Sequence, residues 1–193
     1  MPPPSEGWPR GVRLTTIEGP WWRVDAAAPS RWSWAPYAQP RQRFDSHTGA
    51  FRTRYAARTP RGALREAFDA RGRVLAPADL GRTLVRLDGA LRVIDLRREA
   101  VLDAFGLDDR ISTARDPATW DRCHELADRI RGHYGARCHG ILYRSRTTPQ
   151  TSINLAFFAD HPLAATDLGP LAEQPGLLAA LVLGDGFAIL DGG

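Results

Sequence analysis

The sequence predicts one α+β domain, and three observations predict it. Strand-like runs outnumber helical ones. They do not alternate regularly with helices, as a doubly wound parallel sheet requires. The 193 residues suffice for one domain with a substantial core and are few for two. Residues 1–20, rich in Pro and Gly, are expected to form an irregular arm, and residues 21–193 the domain proper.

The elements follow in chain order. The run GPWWRV reads as a strand and leads into a long Pro-rich loop that ends near Arg43. AFRTRYAA alternates in strand fashion, with Phe51, Thr53 and Tyr55 on one face and Arg52 and Arg54 on the other. Thr59 then caps a helix that has Pro60 at its first position. RTLVRLD and ALRVIDL, separated by Gly89, read as paired strands, and REAVLDAFGL as a short helix ending near Gly106. DPATWDRCHELADRIRGHYG is the longest helix, capped by Asp116, started by Pro117 and ended by Gly135. Its Trp120, Leu126, Ala127, Ile130 and Tyr134 form one apolar stripe. CHGILYRS is a strand running into a polar loop, and INLAFF is the next strand. The tail LAALVLGDGFAIL reads as a hairpin turning at Gly184-Asp185-Gly186.

Composition excludes several classes. No apolar run approaches the length of a membrane span. The opening MPPPSEGWPRG lacks the layout of a signal peptide, which predicts a cytoplasmic protein. Two cysteines, Cys123 and Cys138, argue against a disulfide scaffold. The net charge is +4, and all 26 basic residues are arginine. Arginine offers a planar fork of donors that matches phosphate oxygens bidentately. The arginines are spread along the chain rather than gathered in a block, so direct nucleic-acid binding is a weak reading. Five of the six tryptophans fall in the first 34 residues, and packing of the arm and first strand is favoured over stacking platforms for bases.

The search for chemistry narrows quickly. The Cys-His pairs at 123–124 and 138–139 lack the spacing of a zinc site, so no metal is expected. Ser145 with His139 has no Gly-x-Ser-x-Gly elbow around it, and neither standard Gly-rich phosphate loop is present. Glu66 stands out because its helical neighbours Gly62, Ala63, Asp69 and Ala70 cannot bond it, which predicts a bound molecule as its partner. The constellation that remains is Arg23, Arg43, Tyr55, Glu66 and Ser145.

Those residues carry a resemblance. Arg23-Val24 on a first strand is followed by the step Arg43-Phe44-Asp45, and then by Tyr55 with Glu66 eleven positions later. The strand end Gly140 to Ser145 and the pair Asn154-Leu155 complete the set, over about two-thirds of the chain. In this order the elements resemble the RES domain family, named for its Arg, Glu and Ser. Many members carry Gly-Gly before the second arginine and Asn after its aromatic, where this chain reads PRQRFD.

The resemblance implies a fold related to the ADP-ribosyltransferases, with mixed and antiparallel sheets and flanking helices. It implies an NAD phosphorylase or glycohydrolase, with NAD as substrate and inorganic phosphate as a candidate attacking group. It also implies a toxin neutralised by a helix-turn-helix antitoxin of the Xre type, through which alone nucleic acid would be contacted. Under it, Glu66 is the catalytic carboxylate and Arg23 and Arg43 grip phosphates. Tyr55 packs on nicotinamide or ribose, and Ser145 bonds the carboxamide. Transfer of ADP-ribose to a protein, a catalytically silent binding module, and association into homo-oligomers all stay open at this point.

Overall fold

The computed structural model describes residues 7–147 and 152–190, the side chain of Ala70 excepted. Residues 1–6 of the expected arm and 148–151 of the polar loop lie outside the described residues. The strands are β1 (Thr15–Glu18), β2 (Trp21–Asp25), β3 (Arg54–Ala57), β4 (Val74–Leu75), β5 (Thr83–Asp88), β6 (Ala90–Asp95), β7 (Gly140–Arg144), β8 (Ile153–Phe157), β9 (Ala164–Pro170) and β10 (Ala188–Ile189). The helices are α1 (Pro60–Phe68), α2 (Pro77–Leu80), α3 (Glu99–Phe105), α4 (Arg110–Thr113), α5 (Pro117–Tyr134) and α6 (Pro175–Asp185). The architecture is α+β: a curled mixed sheet with flanking helices.

The main sheet runs β1-β6-β7-β8-β3-β2-β5-β9, with β6 and β7 parallel and the other neighbours antiparallel. Short β4 and β10 pair separately, in parallel. The expected pairing of β5 with β6 does not occur. A single Gly89 separates them, and one residue cannot reverse a chain that needs two in the tightest hairpin. Gly89 instead bends one long strand, at a φ of 131°. Opposite it, Gly19 bends β1 into β2, and its amide bonds the Gly89 carbonyl at 2.9 Å. The register Thr15 to Val93 therefore continues through this bend to Asp25 opposite Thr83. A Cβ on Gly19 would lie 2.8 Å from the Leu87 carbonyl oxygen, so the bend requires glycine there.

This doubled ribbon serves both ends of the strand order, so the sheet curls onto itself. Trp21, Ala56, Val85, Leu87, Leu91, Val93, Leu142, Leu155 and Phe157 make one apolar cluster, contributed by six strands. Alternate residues go elsewhere, as strand pleating dictates. Ile141, Tyr143 and Ala156 pack with Val101, Ile111, Leu126 and Ile130 from α3, α4 and α5. Leu84 and Val24 pack with Leu64 and Phe68 of α1 and Leu181 of α6. The tryptophans pack as expected: Trp21 is buried, Trp34 meets Phe157 edge-on, and Trp8 stacks on His133 at 4.1 Å.

The helix caps agree with the sequence reading. The Thr59 hydroxyl accepts from the Gly62 amide, and the Asp116 carboxylate accepts from Thr119. Three other elements differ. β3 starts at Arg54, so Phe51 and Thr53 precede the strand rather than lie in it. The expected C-terminal hairpin is the helix α6, because Leu and Ala favour helix and Gly186 ends it in the left-handed conformation. Asp185 is no turn residue: its fully buried carboxylate accepts from Arg61 at 2.7 and 2.9 Å and also from Arg65, tying α6 to α1. Thr15–Glu18, inside the stretch expected as an arm, forms β1. No helix among the described residues is long and apolar enough to cross a membrane.

Candidate active site

A cavity of about 620 Å³ opens where α1, the end of α4 and the start of α5 meet strands β2, β3, β7 and β8. Arg23, Arg43, Tyr55 and Glu66, four of the five sequence-predicted residues, line it. The fifth, Ser145, is fully buried behind Glu66. Its hydroxyl donates to Oε1 of Glu66 at 2.5 Å, with the Thr147 hydroxyl 3.3 Å from the same oxygen. The expectation that only a bound molecule could partner Glu66 is thus corrected. Its first partner comes from the end of β7, a contact that helical spacing cannot reveal. Gly62 has a further use: a Cβ there would lie 2.9 Å from the Ser152 hydroxyl and 3.2 Å from the Ala57 Cβ. Its absence lets α1 sit close on the strands, one turn before Glu66.

Arg43 is buried, and its guanidinium donates to the carbonyls of Ile111 at 2.9 Å and Ala114 at 2.6 Å, at the end of α4. Trp120 lies against it, with the guanidinium carbon 5.5 Å from the ring centre. No carboxylate among the described residues pairs with it, and it lines the cavity. Asp45 organises the loop before it, accepting from the amides of Arg41 and Gln42 and from the Thr53 hydroxyl. Tyr55 completes the clasp by accepting from the Phe44 amide at 2.7 Å. Burial, with Asp45 adding, raises its phenol well above the usual range, so the group stays neutral.

Arg23 donates to Asp25 at 2.7 Å and to the Tyr55 carbonyl at 2.8 Å. Asp25 also takes Arg54 at 2.8 Å. Burial alone would raise the Asp25 carboxyl, but Arg23 and Arg54 hold it below its ordinary value. Arg54 lies over Trp32 and Trp34, and burial together with Arg23 pushes it down to about 10. Among the described residues the lining includes eight arginines and one carboxylate, Glu66. Such a surplus of fixed positive charge in a concave site selects for an anion, and the forked donors suit phosphate oxygens.

Sequence reasoning left several lining residues without a role: Tyr37, Arg52, Arg54, Arg82, Trp120, Tyr143 and Asn154. Burial, with Glu66 adding, raises the Tyr143 phenol. For Asn154 a signal existed, because an asparagine in the otherwise apolar run INLAFF calls for a reason. The arginines gave none, since their convergence depends on strand order. Cys123 and Cys138 are buried free thiols, each pushed up to about 11 by burial.

Comparison with known proteins agrees with this geometry. No curated protein sequence matches the chain. Among solved structures the chain is similar to one in the crystal structure of the M. tuberculosis MbcT-MbcA toxin-antitoxin complex. The likeness has a TM-score of 0.58 and 18% identity, and covers 84% of this chain and 91% of that one. At that identity the likeness concerns the fold. The RES domain profile matches residues 20–176, from the strand that carries Arg23 to the start of α6, and so takes in every residue of the site. With more than half of its length matched, this chain belongs to the RES domain family.

Proposed function

We propose that the chain is the toxin of a toxin–antitoxin pair and degrades NAD in the cytoplasm by splitting the bond between nicotinamide and ribose. One observation carries the reading. Among the described residues Glu66 is the single carboxylate lining an arginine-rich cavity, and the buried Ser145 hydroxyl holds it there. Membership of the RES family and the fold of a toxin–antitoxin complex support it.

The chemistry follows from the residue types. The C1′–N bond breaks heterolytically, its electron pair returns to the ring nitrogen, and nicotinamide leaves neutral. The positive charge left on the ribose resembles the oxocarbenium state of glycoside hydrolysis. A fixed carboxylate beside it stabilises that state, which is the role of Glu66. Ser145 acts through Glu66, fixing the carboxylate's orientation. Arg43, with no carboxylate partner among the described residues, and Arg23, whose Nη2 lies beyond its contacts with Asp25 and the Tyr55 carbonyl, bind the pyrophosphate or an incoming phosphate. Tyr55 holds the Arg43 loop and supplies part of the wall. Either phosphate or water bonds C1′ from the vacated side; water sheds one proton in doing so. A helix-turn-helix antitoxin is the protein partner that silences the site.

The test is an NAD assay on purified protein, with and without inorganic phosphate, followed by chromatography of the products. Nicotinamide release with ADP-ribose or its 1-phosphate supports the proposal, and phosphate dependence identifies the attacking group. Labelled protein in place of these products would mean ADP-ribose transfer. Intact NAD after long incubation with folded protein would overturn every NAD-cleaving role.

A further inference from the structure

Asn154 presents a different kind of group to the same cavity. It sits on β8, opposite Tyr143 of β7 and Ala57 of β3, and is 1% exposed. Yet it lines the cavity, and neither its Nδ2 nor its Oδ1 has an aligned hydrogen-bond partner among the described residues. The Tyr143 hydroxyl lies within bonding reach of the amide and can serve at most one of its two polar atoms. A buried amide left without partners is costly, and native proteins rarely keep one. The β8 positions that follow, Leu155, Ala156 and Phe157, are apolar and fully buried, so an apolar side chain would suit this strand. The rest of the amide's hydrogen-bonding capacity is met when something in the cavity offers an acceptor and a donor side by side.

A primary amide offers that pair in one plane, matched to the Asn side chain. The location agrees. Asn154 pairs with Tyr143, two residues before the Ser145 that holds Glu66, so the amide stands at the Glu66 end of the cavity. An adenine edge offers a similar pair, but adenine lies at the far end of a dinucleotide whose nicotinamide bond breaks beside Glu66. Ser145, to which the family resemblance assigns the carboxamide, directs its hydroxyl proton to Glu66 instead.

We propose that Asn154 binds the primary carboxamide of the leaving group and thereby makes the site select a pyridinium amide over the corresponding acid. This rests on the NAD-cleaving reading above and adds the chemical class that the site accepts. A carboxylate at this position offers no donor to Oδ1 and is repelled by Glu66.

The experiment compares wild type with Asn154→Leu on NAD and on its nicotinic acid analogue, alongside melting temperatures. Calorimetric titration with free nicotinamide and free nicotinate accompanies it. Wild type is expected to favour the amide substrate in kcat/KM by ~10²-fold or more, as sites built to hydrogen-bond a substrate group do. In Asn154→Leu the preference should collapse to within several-fold while the melting temperature holds or rises, because an unsatisfied polar group has been removed. Asn154→Ser carries the same comparison if leucine prevents folding. Equal turnover of both substrates by wild type, or an undiminished preference in the variant, overturns the proposal. So does a variant that loses adenosine monophosphate binding while keeping nicotinamide. Nicotinamide binding that depends on Asn154 in a protein that leaves NAD intact would sustain the amide site and remove the cleavage reading. Intact NAD with no nicotinamide binding overturns both.

Discussion

Ser145 donates its hydroxyl to Oε1 of Glu66, joining the end of β7 to a helix that lies 79 positions earlier in the chain. The bond puts a buried hydroxyl behind a carboxylate whose other side faces the cavity. A carboxylate held on one side is pre-aimed, and pre-organisation is what makes electrostatic stabilisation effective in a site of this kind.

Glu66→Gln should therefore separate chemistry from folding. The amide oxygen still accepts from Ser145, so the melting temperature should stay close to wild type. NAD consumption should fall by ~10²-fold or more, the scale for losing one electrostatic stabiliser. Growth inhibition in a bacterial host should disappear with it. Ser145→Ala should lower kcat more than it changes KM, since it loosens Glu66 without touching the substrate. A Glu66→Gln variant that melts normally and cleaves NAD at the parental rate would remove the proposed role.

The arginines give a second test. Arg43→Lys keeps the charge but cannot serve the Ile111 and Ala114 carbonyls together, so one of them keeps only its longer contact, with the Cys123 thiol or the Trp120 indole N–H. A stability loss of about 1–3 kcal/mol is expected in urea unfolding. Substrate affinity should fall as well. Arg23→Lys, at a less buried position, should impair NAD turnover with a smaller stability change. Full activity in both lysine variants would reduce them to structural residues.

Asp25 sets a pH dependence. Its folded pKa lies below the usual 3.8 because Arg23 and Arg54 outweigh burial. A group depressed in the folded state stabilises it above the unfolded pKa, and loses that contribution as pH falls through the folded value. Asp25→Asn should thus be less stable than wild type at pH 6, and the gap in urea midpoint should narrow below about pH 4. A gap that is constant from pH 6 to pH 3, in the same urea series, would contradict the ionic account.

Asp185 tests the link between the tail and the site. Asp185→Asn leaves Arg61, Arg65 and Arg73 facing one another around a neutral group, since the carboxylate holds the first two and the Asp185 carbonyl the third. Burial and the other two arginines already lower Arg65. The melting temperature should drop by several degrees, as ~1 kcal/mol costs a few degrees in a chain of this size. NAD turnover should fall in proportion to the loosening of α1. An unchanged melting temperature would show that α6 is held by its apolar contacts alone.

The sequence by itself determined the features that depend on near neighbours. Thr59 with Pro60 and Asp116 with Pro117 announce their helices because a cap bonds an amide three residues on. Pleat alternation marks β7 and β8, and the ordered set Arg23, Arg43, Tyr55, Glu66 and Ser145 marks the family. Gly-Asp-Gly misled because the same residues suit a turn and a helix end, and only the burial of Asp185 against α1 separates the two.

Everything that required knowing which strands become neighbours was decided by the tertiary structure. Gly89 bends a strand instead of reversing it because Gly19 lies opposite, 70 residues before it in the chain. The resulting curl brings arginines from across the sequence into one cavity, places Ser145 behind Glu66, and leaves the Asn154 amide facing the same space with no aligned hydrogen bond among the described residues. Local propensity is written over three or four residues, whereas these contacts are selected by burying apolar faces from six strands at once.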